Sequence, residues 1–444
     1  MGIVKHHCDA LNMLHAYLQH AFLLPSFVAG PLSAVSFQLE AMKSRPRKQT
    51  LQRILESPPA RILESPSALS LNFNIAPSKF SIGSDCAGIH GLWLAIEHLG
   101  LSSYAADEFW SECDPAALAM LDHNFRTRKV YTDLTKRDHT KLPRVTLYTA
   151  GFPCTCFSSE GKGEGLMSSA GAVGLHCILT VSASKPKAFL FENTKNLQTK
   201  AHRKDFELIM QALSAIVDEH QRPMYTVYVL VMNSLKHGIP QNRERTYIVG
   251  IANASKRRKF RWPSETPHLP LDCFLVGDVC DPPELPKTAT EQKNYLSSVK
   301  QMFSMGMTLT ADVVADLGGG FTNKHGDSHH IVVGHAPCLT KTRCKSSAYY
   351  VFAKQRKMNV VEMQKLQGIP CGRLRRPKSV SEPQFRGMLG NTFTVPVVAK
   401  IVDRILFALG VTPELIVKDC SNVDAEAWNC FAAEDPPSKR PRRV

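Results

Sequence analysis

The chain has 444 residues, 43% hydrophobic and 21% charged, which is too long for a single hydrophobic core and too apolar for a disordered chain. No unbroken apolar run reaches the roughly 18 residues that a membrane-spanning helix needs. Lysine and arginine number 54 against 39 acidic residues, a net charge of +15 that suits a polyanion such as nucleic acid, and the 13 cysteines form no CxxC, HExxH or CxxH pattern, so reduced intracellular thiols and no metal are expected.

Residues 1–78 read as a flexible N-terminal extension. Their apolar stretch is broken by Pro25, Gly30 and Pro31, and RILESP occurs at Arg53 and again at Arg61, a slippage typical of linkers. Lys5, His6 and His7 ahead of the apolar stretch leave organelle targeting open. From residue 79 to 251, short β-like runs alternate with helical periodicity, the pattern of a doubly wound α/β sheet. Strands are expected at Lys79–Gly83, Tyr104–Trp110, Arg144–Ala150, Ala188–Glu192, Tyr225–Val231 and Thr246–Ile251. Leu92, Ala95, Ile96 and Leu99 share one helical face closed by Gly100, and Asp114 followed by Pro115 marks the start of another helix. Residues 252–355 lose this rhythm, are rich in Pro, Gly, Lys and His, and read as a second, smaller lobe. Residues 356–410 regain helical pattern and return to the first domain. A basic tail, 411–444, carries KRPRR at Lys439–Arg443, readable as a nuclear import signal or as a basic arm for DNA.

Four segments carry groups capable of chemistry. In SDCAGIHGL, Gly88 and Gly91 sit where a first strand turns into a helix and let backbone approach a ligand, while Glu112, about 20 residues on at the end of the second strand, can accept from ribose hydroxyls. GFPC places Cys154 just past a strand, at the carboxyl edge of the sheet where clefts form. Glu192 and Asn193 end another strand at that same edge, where a shielded carboxyl can serve as an acid. Gln241, Arg243 and Arg245 alternate into the last strand, so both guanidiniums are expected on one side, facing phosphate or a base edge. The basic and aromatic segment SKRRKFRWP (Ser255–Pro263) reads as a contact to a nucleic-acid backbone. Each segment taken singly also admits a plainer reading: a tight turn, a buried thiol, a strand end, a charged edge.

Taken in order, GFPC, EN at Glu192, QNRER at Gln241, RKMNVVEMQKLQGIP at Arg356 and GNTFTVPVVAKI at Gly390 resemble the cytosine-C5 DNA methyltransferases. The resemblance covers most of 80–250 and 355–410. It implies a Rossmann-like methyltransferase sheet with a target-recognition lobe at 252–355, and methyl transfer from S-adenosylmethionine to C5 of a cytosine flipped out of duplex DNA. In that reading Cys154 adds to C6, Glu192 protonates N3, and Arg245 with Arg243 holds the base. The cofactor would lie against Cys86, Ala87, Gly88, Ile89 and Gly91, with Glu112 on its ribose, Asp133 by its adenine, and Pro153, Leu175, Asn391 and Thr392 lining the rest. The chain departs from the family at Cys86, where an aromatic packs on the adenine, at His90, which interrupts the glycines, and at Thr155 and Thr194, beside the nucleophile and the acid. Cys156 offers a second thiol, but the match of GFPC selects Cys154. A monomer acting on DNA is expected. A tRNA methyltransferase is an alternative, although that branch has PPCQPF in place of GFPC. A catalytically silent nucleic-acid-binding relative is a third, weighed against by intact Cys154, Glu192, Arg243 and Arg245.

Overall fold

A computed structural model describes residues 76–153, 165–166, 168–319 and 331–417. Expectations for the N-terminal extension up to residue 75, for Cys154, Thr155 and Cys156, and for the KRPRR cluster fall on residues outside these.

Seven strands make the main sheet: β1 (Phe80–Asp85), β2 (Ala105–Ser111), β3 (Lys129–Tyr131), β4 (Leu147–Ala150), β5 (Ala188–Thr194), β6 (Tyr225–Asn233) and β7 (Glu244–Ala252), in the order β3-β2-β1-β4-β5-β7-β6. The five from β3 to β5 run parallel. β7 lies antiparallel between β5 and β6, so its first residues, not its last, meet the carboxyl end of β5. β3 is too short to carry a periodic signature, which is why the sequence does not announce it.

Helices cover both faces. On one side α1 (Gly91–His98), α2 (Pro115–Asn124) and the long final helix α9 (Val395–Ala408) pack on Ile82, Leu147, Leu190 and Val249. On the other, α3 (Ser169–Ser184) and α4 (Arg203–Ser214) pack on Phe109, Tyr148, Phe189 and Phe191. Leu190 goes one way and its neighbours Phe189 and Phe191 the other, the two-residue alternation of a strand buried on both faces. The local punctuation works as read: the Asp114 carboxylate accepts from the N–H groups of Ala116 and Ala117, and Gly100, at φ +67°, follows α1.

The smaller lobe is a four-stranded antiparallel sheet, order β11-β10-β8-β9, of β8 (Val313–Asp316), β9 (Ile331–Val333), β10 (Tyr349–Val351) and β11 (Arg356–Lys357). It has its own core, in which Met302 of α5 (Ala289–Ser304) meets Val313, Ala315, Tyr350 and Phe352. Two features differ from the expected boundaries. The sheet continues to Lys357, and Ala336–Lys345 leaves the lobe to dock on the main domain: Ala336 bridges to Gln241, and α6 (Lys341–Lys345) packs on α8 (Glu382–Asn391), which also meets α7 (Val360–Leu366).

The segment SKRRKFRWP lies away from the residues gathered around Glu192. It follows the far end of β7, where Ile251 pairs with Ala188, at the sheet edge opposite to Glu192. The N–H groups of Arg257 and Arg258 donate to Ala408 O, the Arg258 guanidinium donates to Phe407 O and Thr412 O and lies over the Phe407 ring, and Phe260 is buried against Tyr228 and Trp262. Arg258 and the main chain beside it thus tie α9 to the sheet, while Arg257, Lys259 and Arg261 stay exposed. Among the described residues no helix is long and apolar enough to cross a membrane.

Candidate active site

The carboxyl ends of β4 and β5 are adjacent, with Ala150 opposite Phe191, so the strand leading to Cys154 runs beside the strand that presents Glu192. Gly151 shows how close they come. A Cβ built on it would lie 3.9 Å from Glu192 Oε2 and 2.8 Å from the Phe393 ring, so only a glycine leaves this corner as it stands. Asn193 ties the two loops together: its Nδ2 donates to Phe152 O at 3.2 Å, two residues before Cys154. Pro153 follows, half-buried.

Glu192 is 8% exposed, and its Oε1 lies 3.2 Å from Arg245 Nε without an aligned hydrogen bond. Burial pushes this carboxyl above the ordinary carboxylate range, and the charges of Arg245 and Arg243 only partly offset that. A buried carboxyl that keeps its proton to higher pH, with a guanidinium ready to stabilise the anion, is what a general acid requires. β7 makes this meeting possible, because its antiparallel register sets Arg245 opposite Thr194.

At the other end of the cleft, β1 turns into α1 through Cys86, Ala87, Gly88, Ile89, His90 and Gly91. Gly88 has φ +58° and nothing within 4 Å of where a Cβ would sit, so its backbone faces open space. Its N–H donates to Glu112 Oε2 at 2.8 Å, while Glu112 Oε1 accepts from the N–H groups of Cys113 and Asp114. Three donors leave a carboxylate with capacity for a further hydroxyl. Ala87 is pinned by its N–H to Ser111 O, and Ile89 is anchored in the core. Gly91 backs onto Phe393 and Thr392, whose atoms would crowd a Cβ at 3.0 and 3.2 Å. Thr392 is buried and Asn391 exposed at the end of α8. These residues fit the glycine-rich loop and acidic ribose acceptor of a nucleoside cofactor.

Two expected lining residues are placed less directly. Leu175 is 2% exposed within the core of α3, so it backs the site rather than facing open space. Asp133 spends Oδ1 on the N–H and hydroxyl of Thr135 and pairs with Lys136 at 3.0 Å. Burial works to raise its pKa, but the Thr135 and Lys136 hydrogen bonds prevail and hold it below the usual value.

Residues 80–406 match the family of C-5 cytosine-specific DNA methylases. The chain belongs to this family. It is 30% identical to the type II methyltransferase M.HaeII of Haemophilus aegyptius over 336 residues, 74% of this chain and 94% of the relative. It is 30% identical to M.NgoBI of Neisseria gonorrhoeae over 315 residues, 70% and 88% of the two chains. Its fold matches the crystal structure of a DNA modification methyltransferase encoded within an E. coli prophage, with TM-score 0.50 and 15% identity, over 75% of this chain and all of the other. As a member, this chain is a DNA cytosine-C5 methyltransferase, and the family takes its methyl group from S-adenosylmethionine.

Membership explains why distant motifs of the methylase share one site, and the geometry corrects the reading of two residues, Arg243 and His90. Arg243 does not face a base. It is 3% exposed, and its guanidinium donates to Leu339 O (2.6 Å), Gly390 O (3.2 Å) and Thr392 O (2.8 Å). Gln241 does similar work, donating to Leu366 O and accepting from Leu339 N. Alternation sets which way these side chains point; it does not tell that a wall of main-chain carbonyls stands there. His90 also differs from its reading as an interruption of the cofactor loop. At φ +63° it takes the left-handed conformation a glycine would adopt, and its side chain turns inward, Nε2 2.7 Å from Asp107 Oδ2 and ring edge-on to Trp110 and Phe125. The cleft stays clear. Cys86 is likewise left-handed (φ +52°), its thiol pushed upward by contact with Cys177 and by burial, so it offers polarisable bulk rather than a ring face.

Sequence reasoning missed Phe393 and Cys338. Phe393 touches both Gly91 and Gly151 and so joins the cofactor end of the cleft to the catalytic end, but a phenylalanine after Gly-Asn-Thr carries no chemical signal. Cys338, whose sulfur lies 3.6 Å from Arg245 Nη2, lay inside the segment read as recognition lobe. Among the described residues no group of three or more His, Cys, Asp or Glu is placed to hold a metal ion.

Proposed function

We propose that the enzyme methylates C5 of a cytosine flipped out of duplex DNA, with Cys154 as nucleophile and Glu192 as acid. The observation that carries this reading is the buried, upward-shifted carboxyl of Glu192 against Arg245, beside the loop that leads to Cys154. The Cys154 thiolate adds to C6 as the Glu192 carboxyl gives its proton to N3, leaving C5 as the nucleophilic carbon of an enamine. S-adenosylmethionine, when bound, supplies an electrophilic methyl group. Ala87, Gly88, Ile89 and Gly91 would hold its methionine end, Glu112 its ribose and Asp133 its adenine amine, with Phe393 closing the floor between the two reactants. Once C5 carries the methyl group, loss of the C5 proton expels the Cys154 sulfur, N3 returns its proton to the Glu192 carboxylate, and the aromatic ring is restored. Flipping costs a few kcal/mol of unstacking, and the net charge of +15 favours the polyanion that must be deformed.

Incubation with methyl-labelled S-adenosylmethionine and either duplex DNA or tRNA tests the substrate class. Label appearing as 5-methylcytosine in the duplex is the expected result. Label confined to tRNA, or to neither, would overturn it.

A further inference from the structure

The last residues of three neighbouring strands stand in one row across the main sheet: Asp85 of β1 pairs with Ser111 of β2, and Ser111 with Tyr131 of β3. Each leads into a segment that would hold the cofactor. Cys86, Ala87 and Gly88 follow Asp85, Glu112 follows Ser111, and Asp133 comes two residues after Tyr131. One guanidinium spans the row. Arg137 donates from Nη1 to Asp85 Oδ1 at 2.7 Å and to Ser111 Oγ, and from Nη2 to Asp85 Oδ2. Its Cζ lies 5.2 Å from the centre of the Tyr131 ring and 5.5 Å from that of Phe109. The ion pair is buried, with 3% of the Arg137 side chain exposed and none of the Asp85 side chain. Two further groups hold it in place: Thr180 Oγ1 of α3 accepts from Nη2 at 2.7 Å, and the Tyr148 hydroxyl donates to Asp85 Oδ2 at 2.6 Å.

We propose that Arg137 is a positioning residue of the cofactor site, a clamp that sets the spacing of the glycine loop, the ribose acceptor Glu112 and the adenine acceptor Asp133. This rests on those segments being the S-adenosylmethionine site. Main-chain pairing alone leaves their spacing loosely fixed. The β1–β2 register shifts between Ile82 and Gly83, and an irregularity of this kind re-aims the strand that carries it. β3 has only three residues, a short ladder for holding the loop that bears Asp133. A planar fork whose donors point in fixed directions ties the ends of β1 and β2 to one rigid group. Arg137 is also four residues past Asp133, so the same contacts anchor that loop. With the strand ends held, Gly88 N–H reaches Glu112 Oε2 at 2.8 Å and Ala87 N–H reaches Ser111 O at 3.0 Å. The carboxylate and the guanidinium offset each other, so the clamp contributes shape rather than net charge.

Three substitutions separate positioning from plain stabilisation. Arg137→Lys keeps a cation for Asp85 and loses the fork, Ser111→Ala cuts the tie to β2, and Thr180→Val cuts the tie to α3, which bears none of the three segments. Each full-length variant is titrated with S-adenosylmethionine by calorimetry, and its thermal midpoint is measured without ligand. Arg137→Lys raises Kd by about 10-fold or more, the scale on which misplaced binding groups act. Ser111→Ala raises it by a smaller factor. Thr180→Val lowers the thermal midpoint and leaves Kd unchanged. In methylation of duplex DNA the first two raise KM for S-adenosylmethionine and leave KM for DNA as it was. If Arg137→Lys does not fold, the contrast of Ser111→Ala with Thr180→Val decides. An unchanged Kd in Ser111→Ala, or a rise in Thr180→Val as large as in Ser111→Ala, would overturn the proposal and leave Arg137 a stabilising ion pair. A wild type that binds no S-adenosylmethionine overturns the reading of the cofactor site itself, and the proposal with it.

Discussion

Glu192→Gln lowers kcat for DNA methylation by about 10²- to 10⁴-fold, the usual contribution of a general acid, with little change in KM for DNA. Glutamine keeps the shape and can still meet Arg245, but it has no proton to give to N3. The pH profile separates loss of the acid from loss of the fold. The acid must be protonated to act, so wild-type kcat is high below the pKa of Glu192 and falls as pH rises through it. Burial places that fall above the ordinary carboxylate range. In Glu192→Gln this limb disappears and the residual rate is flat across it. A residual rate that retains the same limb would assign the acid to another group.

The second large effect separates the two arginines, which the sequence presents as a pair. Arg243→Ala leaves three buried main-chain carbonyls, those of Leu339, Gly390 and Thr392, without their charged donor. Orphaning such groups costs on the order of 3–5 kcal/mol, seen as a fall in the thermal midpoint, and Arg243→Lys does not rescue it because one ammonium cannot replace a fork that donates in several directions. Arg245→Ala loses less stability, since its partner Glu192 is already inclined to neutrality. It instead moves the alkaline limb of kcat upward, because the carboxylate loses its guanidinium. Equal losses of stability in the two variants would contradict this division.

Apart from the short β3, the strands of the main sheet were legible because they read as apolar runs, the central ones buried on both faces, and AFLFEN announced its own end in Glu192 and Asn193. The loop SDCAGIHG was legible through its glycines. What was not legible depends on long-range placement. Nothing local in QNRERT distinguishes Arg243, facing carbonyls 96 and more residues away, from Arg245, facing Glu192. Which way β7 runs decides that difference, and its direction is a property of the whole sheet. SKRRKFRWP has the composition of a DNA contact, but β7 carries it to the opposite edge, where Arg258 closes the end of α9. Cys338 was hidden for the opposite reason. Its segment shares the Pro- and Gly-rich texture of the small lobe, and only pairing with Gln241 returns it to the site.

Trapping the covalent intermediate tests the central claim most directly. DNA carrying 5-fluorocytosine at the target position blocks the last step, since no proton can leave C5 after methyl transfer, and the enzyme should remain bonded to it. With S-adenosylmethionine present, denaturing electrophoresis and peptide mass spectrometry should show a stoichiometric adduct at Cys154, preserved in Cys156→Ser and lost in Cys154→Ser. An adduct that persists in Cys154→Ser, or a folded enzyme that methylates ordinary DNA yet forms no adduct, would contradict it.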